Sequence, residues 1–140
     1  ENTIAAQLVP GGAGYNTALG ADGVDVVLGG GWQNFQPKGA ATGSARSDTR
    51  DLIAEMKSKG YTTINDKAGL DGVPATATKL LGLFTSGHMN FDIDRNPATE
   101  PSLAQMAVTA LGIVAKNQKG YFMMVEGGRI DQALHPTLAR

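Results

Sequence analysis

The sequence predicts an α/β fold with a mostly parallel sheet, and two observations carry that expectation. Short runs such as Val24 to Leu28, interrupted only by Asp25, Leu80 to Phe84 and Tyr121 to Val125 are predominantly apolar, as in strands covered on both faces of a sheet. They alternate with helical segments instead of following one another, which is the order of an α/β domain. A chain of 140 residues with 41% hydrophobic content can bury a core and falls in the size range of one domain.

Taken in order, Thr3 to Val9 reads as a short helix, broken by Pro10-Gly11-Gly12-Ala13-Gly14 because proline and glycine both oppose continuation. A loop runs to about Gly23. Val24 to Leu28, closed by Gly29-Gly30-Gly31, is expected as a central strand ending in a tight turn. The polar, small and proline-containing stretch from Trp32 to Ser47 is expected as a long loop. Asp48 or Thr49 is expected to cap a helix with Leu52, Ile53 and Met56 on one face, ended by Gly60. Tyr61 to Ile64 reads as a second strand, Lys67 to Leu70 as a helical turn, and Leu80 to Phe84 as a third strand.

The clearest helix follows Pro101. Ser102 is placed to cap it, with Gln105 three residues on as its capping-box partner. Leu103, Met106, Ala107, Ala110, Leu111 and Val114 repeat at the spacing of one buried face, and Gly120 lies past the end. Tyr121 to Val125 is expected as a fourth strand.

Charge and composition exclude several partners. Lys plus Arg (12) nearly balances Asp plus Glu (13), so no excess basic charge points to a nucleic acid or an anionic membrane. The apolar runs are far below the roughly 20 residues that span a bilayer. Without cysteine there are no disulfides or thiolate ligands, and any transition-metal site must be built from His, Asp and Glu. The start at Glu1, without Met and without the basic and apolar regions of a signal peptide, suits a processed chain or a fragment.

Chemistry concentrates in Val125-Glu126-Gly127-Gly128-Arg129-Ile130-Asp131-Gln132-Ala133-Leu134-His135. Glu126 stands at the end of an expected buried strand, where ligand sites form in open parallel sheets. The two glycines allow a sharp turn, and Asp131 and His135, at i and i+4, share a helix face. A carboxylate oxygen and an imidazole nitrogen at that spacing can chelate zinc with positions left open, while Glu126, a hard oxygen donor, suits Mg²⁺. Spacing alone leaves two readings open, a solvated surface pair and a chelate.

Val125 to Asp131 followed by His135 resembles the metal-ligand segment of alkaline phosphatases, including the vertebrate type, where Val-Glu-Gly-Gly-Arg-Ile-Asp is also found. Further segments are similar in the same order: Val24 to Gly31 to the family's strand and glycine turn, Leu81-Gly82-Leu83-Phe84 to its Gly-Leu-Phe segment, and Glu100-Pro101-Ser102-Leu103 to the start of its following helix. The likeness covers nearly the whole chain.

The resemblance implies a three-layer α/β/α fold with a mostly parallel central sheet, present in part, with residues 1–140 as a single partial domain from the middle of a catalytic domain. It implies Glu126 as an Mg²⁺ ligand and Asp131 and His135 as ligands of one of two Zn²⁺ ions. For the intact enzyme it implies hydrolysis of small phosphomonoesters at alkaline pH through a metal-assisted phosphoserine intermediate, a homodimer, and a periplasmic or extracellular location. The family's Asp-Ser-Ala nucleophile pattern, its phosphate-binding arginine and its downstream Asp-His pair and further His are not found here, and Ser47-Asp48-Thr49 has the wrong order to replace the first. No catalytic residue is therefore assigned within this chain, and both flanks of the family pattern are expected to be missing. The rival expectation is a noncatalytic fragment with weak residual metal binding. A sulfatase or phosphomutase branch of the same superfamily fits the motif less well.

Other segments of the sequence admit more than one reading. Gly29-Gly30-Gly31 could cradle a phosphate, but no Gly-x-Gly-x-x-Gly or Walker pattern accompanies it. His88, with Asp92 and Asp94 nearby, could suggest a second metal site, against the simpler reading of a solvated loop histidine. Some vertebrate members bind Ca²⁺ around the Gly-Leu-Phe segment; Thr85 stands here where they have Glu, so calcium is not expected, although Glu100 keeps an acidic position. The role of Arg129 is open.

Overall fold

The computed structural model describes residues 1–135. Three strands, β1 (Val26–Gly29), β2 (Thr62–Ile64) and β3 (Leu80–Leu83), form a parallel sheet in the order β1-β3-β2. Val26 of β1 and Thr62 of β2 both stand beside Leu80.

Alternation along β3 divides the core into two layers. Successive strand residues point to opposite faces. Leu81 and Leu83 pack into a cluster with Ala5, Ala6 and Val9 of the N-terminal segment, Phe35, Leu52, Met56 and Tyr61. Leu80 packs on the other side with Ala77 and Ile113, flanked by Val26, Leu28 and Ile64. Helices α1 (Asn2–Gln7) and α2 (Leu52–Ser58) therefore cover one face of the sheet and α4 (Leu103–Val114) the other, the α/β/α layering that the resemblance implies. Burying the four residues of β3 from both sides is the main apolar contribution of the sheet, on the order of 1.5–3 kcal/mol for each fully buried leucine.

The middle strand is β3, and this corrects the expectation for Val24 to Leu28. Among the described residues β1 lies at the margin and is only half-buried, whereas every residue of β3 is buried. Both runs are apolar, so composition does not separate an edge from a centre.

Local signals decided the helix ends. Ser102 accepts a hydrogen bond from the Gln105 N–H at 3.2 Å and Gln105 Oε1 accepts from the Ser102 N–H at 2.9 Å, closing the expected capping box of α4. The cap of α2 is Asp51, which accepts from the Ala54 N–H at 2.9 Å, and not Asp48 or Thr49. Asp48 instead pairs with Arg46, whose buried guanidinium also donates to the Asn2 and Asn34 carbonyls at 3.1 Å each. That buried arginine organises the stretch after β1, which holds a 3₁₀ turn at Trp32–Asn34. A short helix, α3 (Lys67–Asp71), is capped by Asp66. In α4 the buried face is Met106, Ala110 and Ile113, while Leu103 and Leu111 are exposed, so the stripe is rotated from the one expected.

Tyr121 to Val125 is not a strand among the described residues. Strand geometry needs a ladder of partner amides and carbonyls, and this segment pairs with neither edge of the sheet. It runs beside α4 with Phe122 and Met124 largely exposed.

Candidate metal centre

The segment that follows Tyr121–Val125 turns at Gly127, the N-cap of α5 (Gly128–Leu134), and His135 is the C-cap residue. Within α5 the i, i+4 spacing brings Asp131 Oδ2 to 3.2 Å from His135 Nε2. Both side chains are open to solvent, with 78% and 75% exposure. Two ligand atoms on a tetrahedral zinc, at metal distances near 2.0–2.2 Å, lie roughly 3.3 Å apart. The two side chains are in direct hydrogen-bond contact, and their separation is also close to that of two ligand atoms on one tetrahedral ion.

Glu126 is exposed at the start of the turn and lines the groove between α4 and Tyr121–Val125. It does not join the pair. Among the described residues, no three His, Asp or Glu side chains lie close enough to hold one ion. The structure thus joins Asp131 to His135 and leaves Glu126 apart.

Helix α5 rests on the loop after β3. Arg129 Nε donates to the Met89 carbonyl at 2.5 Å, and its Nη1 donates to Gln132 Oε1 at 2.6 Å. The guanidinium lies 4.4 Å from the centre of the Phe91 ring. Gln132 Nε2 lies 3.1 Å from His88 Nε2. His88 is therefore engaged by α5 and Asp92 is held by Arg95 at 3.0 Å, and among the described residues neither belongs to a group of three or more side chains that could hold one ion. Sequence reasoning did not find the Arg129 contacts, because nothing local marks a partner 40 residues away.

The glycine turn after β1 is also spent on this loop. The Gly31 and Trp32 amides both donate to the Thr85 carbonyl, at 2.9 and 3.1 Å. Those donors are taken and do not form an anion cradle. Gly30 is required by close approach, since a Cβ there would stand 2.1 Å from the Gly87 carbonyl oxygen.

A three-stranded parallel sheet with helices on both faces, and a short helix beyond α4 that carries a contacting Asp/His pair, define part of an α/β protein. The chain belongs to the alkaline phosphatase family, whose family model matches residues 12–140. It is 37% identical over 131 residues to the alkaline phosphatase of Schizosaccharomyces pombe, which covers 88% of this chain and 24% of that protein. The human tissue-nonspecific isozyme is 36% identical over 132 residues, covering 84% of this chain and 25% of that protein. A crystal structure of Thermus thermophilus alkaline phosphatase superposes with a TM-score of 0.72 at 38% identity, over 82% of this chain and 23% of that one. The chain spans about a quarter of the length of the curated relatives it matches. No helix among the described residues is long and apolar enough to cross a membrane.

Proposed function

We propose that these residues form part of the metal-binding framework of a phosphomonoesterase, a partial catalytic domain in which Asp131 and His135 hold one Zn²⁺ and Glu126 holds Mg²⁺. The observation that supports this best is the 3.2 Å spacing of Asp131 Oδ2 and His135 Nε2, a carboxylate and an imidazole presented together to solvent. Glu126 stands apart from that pair, which suits a second ion better than a share in the first. When bound, such ions supply Lewis-acid stabilisation of phosphoryl oxygens.

The chain's own residues would contribute position and charge. Asp131 lends a negative oxygen that favours a cation over water, and His135 binds through a neutral nitrogen whose orientation the helix sets. The reaction in the whole protein is hydrolysis of small phosphomonoesters at alkaline pH through a phosphoserine, with the nucleophile outside these residues and two Zn²⁺ ions and one Mg²⁺ at the complete site. A homodimer and a periplasmic or extracellular location belong to the same proposal, by family resemblance.

A second reading has its own support. Two ligands without a third neighbour among the described residues bind an ion weakly, so the 140 residues alone would be a noncatalytic piece with residual affinity. One experiment separates the two. The native protein that contains this chain is assayed with p-nitrophenyl phosphate at alkaline pH with Zn²⁺ and Mg²⁺, then with EDTA, and its metal content is measured. EDTA-sensitive turnover, with zinc lost in Asp131→Asn and magnesium lost in Glu126→Gln, is the expected result. Absence of turnover in the metal-loaded protein would leave only the noncatalytic reading.

A further inference from the structure

Helix α5 has little of its own to hold it. It is seven residues long, has no side-chain N-cap hydrogen bond and buries no residue, and isolated helices shorter than about 12 residues are marginal in water. Three of its residues are partly covered, Arg129, Gln132 and Ala133. At roughly 100° per residue, these occupy one side, and Asp131 and His135 fall roughly 200° and 240° round from Arg129, on the other. Whatever fixes the Arg129 side fixes the direction in which the Asp131/His135 pair points.

We infer that Arg129 is a positioning residue for the metal pair: it locks the roll of α5 against the Met89–Phe91 loop and so orients Asp131 and His135. The inference rests on the zinc reading of that pair. Arg129 makes three contacts at once, a donation from Nε to the Met89 carbonyl, a second from Nη1 to Gln132, and a position of its Cζ over the Phe91 ring. A planar guanidinium can donate from its edge while its face stacks, which a lysine ammonium cannot. The platform under it is itself fixed. Gly30 sits against the Gly87 carbonyl, and the Asn90 N–H and side-chain amide both donate to the buried Glu100 carboxylate. Gln132 adds its contact to His88 on the same side.

The test uses the full-length native protein, stripped of metal and titrated with zinc against a chromogenic chelator. It is then reloaded with Co²⁺, whose visible absorption reports coordination geometry. Arg129→Gln is expected to weaken zinc binding about tenfold or more, the usual effect of losing a residue that orients a ligand, and to alter the Co²⁺ spectrum. Arg129→Lys is expected to recover only part of the affinity. Phe91→Leu is expected to weaken binding severalfold, and the double variant Arg129→Gln/Phe91→Leu no more than Arg129→Gln alone. If Arg129→Gln does not fold, Phe91→Leu carries the test. Wild-type zinc affinity and an unchanged Co²⁺ spectrum in these variants, with zinc lost in Asp131→Asn, would overturn the positioning role and leave the zinc reading standing. Wild-type affinity in Asp131→Asn as well would overturn the zinc reading itself.

Discussion

Asn90 grips Glu100 at two points: its backbone N–H donates to Oε1 at 2.8 Å and its side-chain Nδ2 to Oε2 at 2.6 Å. Glu100 is 6% exposed, and its carbonyl accepts from Arg95 Nη1 at 2.9 Å. The loop from Phe84 to Glu100 is closed on itself by these bonds, and it carries Met89 and Phe91, on which α5 rests.

Removing the grip should loosen both the loop and the helix. Glu100→Ala strands two donors that now meet a charged acceptor, a loss of about 1.5–3 kcal/mol. The urea midpoint should fall by that equivalent with an unchanged slope, and amide exchange in α5 should quicken. Glu100→Gln, which keeps one acceptor, should recover part of the loss.

Adjacent glycines in the turn after β1 should answer oppositely to alanine. A Cβ at Gly30 would meet the Gly87 carbonyl oxygen at 2.1 Å and Thr85 Oγ1 at 2.5 Å, whereas a Cβ at Gly29 meets nothing within 4 Å. Gly30→Ala must push backbone apart and should cost about 1–3 kcal/mol or more. Gly29→Ala should stay within about 0.5 kcal/mol of wild type. Paired thermal melts of the two variants decide this.

The acid limb of stability should depend on Glu55. Arg50 holds it at two points, 2.9 and 2.6 Å. That hydrogen bonding, with the guanidinium's charge, keeps the Glu55 carboxyl below its ordinary value of 4.5. Asp48 is lowered in the same way, chiefly by its hydrogen bond to Arg46. A depressed folded-state pKa means that the unfolded chain binds protons first. The stabilisation is complete above the ordinary carboxyl range and is lost as pH falls through the lower folded-state value. Glu55→Gln should therefore melt lower than wild type at neutral pH and lose less on acidification, as pH-dependent melts would show.

The alkaline limb should depend on Tyr61. The residue is 3% exposed and its hydroxyl donates to the Val24 carbonyl at 2.6 Å. Burial, with the negative charge of Asp25 next in weight, pushes its pKa from 10.0 up to about 12. A raised value favours the neutral phenol in the fold, so this contribution is intact below pH 10 and declines as pH rises toward 12. Tyr61→Phe should flatten that decline while lowering stability at neutral pH by about 1 kcal/mol for the lost hydrogen bond. Melts from neutral pH upward would test both parts, and wild-type steepness in Tyr61→Phe would refute the assignment.

Much of this molecule is determined by residues near one another in sequence. The alternation of apolar runs with helices and the Ser102–Gln105 capping box rest on neighbours close along the chain and are legible there, as is the i, i+4 spacing of Asp131 and His135, although the seven-residue helix that turns this spacing into a contact leans on the distant Met89–Phe91 loop. Other features depend on partners far along the chain. That β3 and not β1 lies in the middle, that Tyr121 to Val125 has no ladder partner, that Asp48 turns to Arg46 and leaves the cap of α2 to Asp51, and that Arg129 finds Met89 were decided by the tertiary structure. Hydrophobic pattern and capping chemistry state what a segment can bury or bond, whereas pairing and docking depend on which distant surfaces the packed sheet brings within reach.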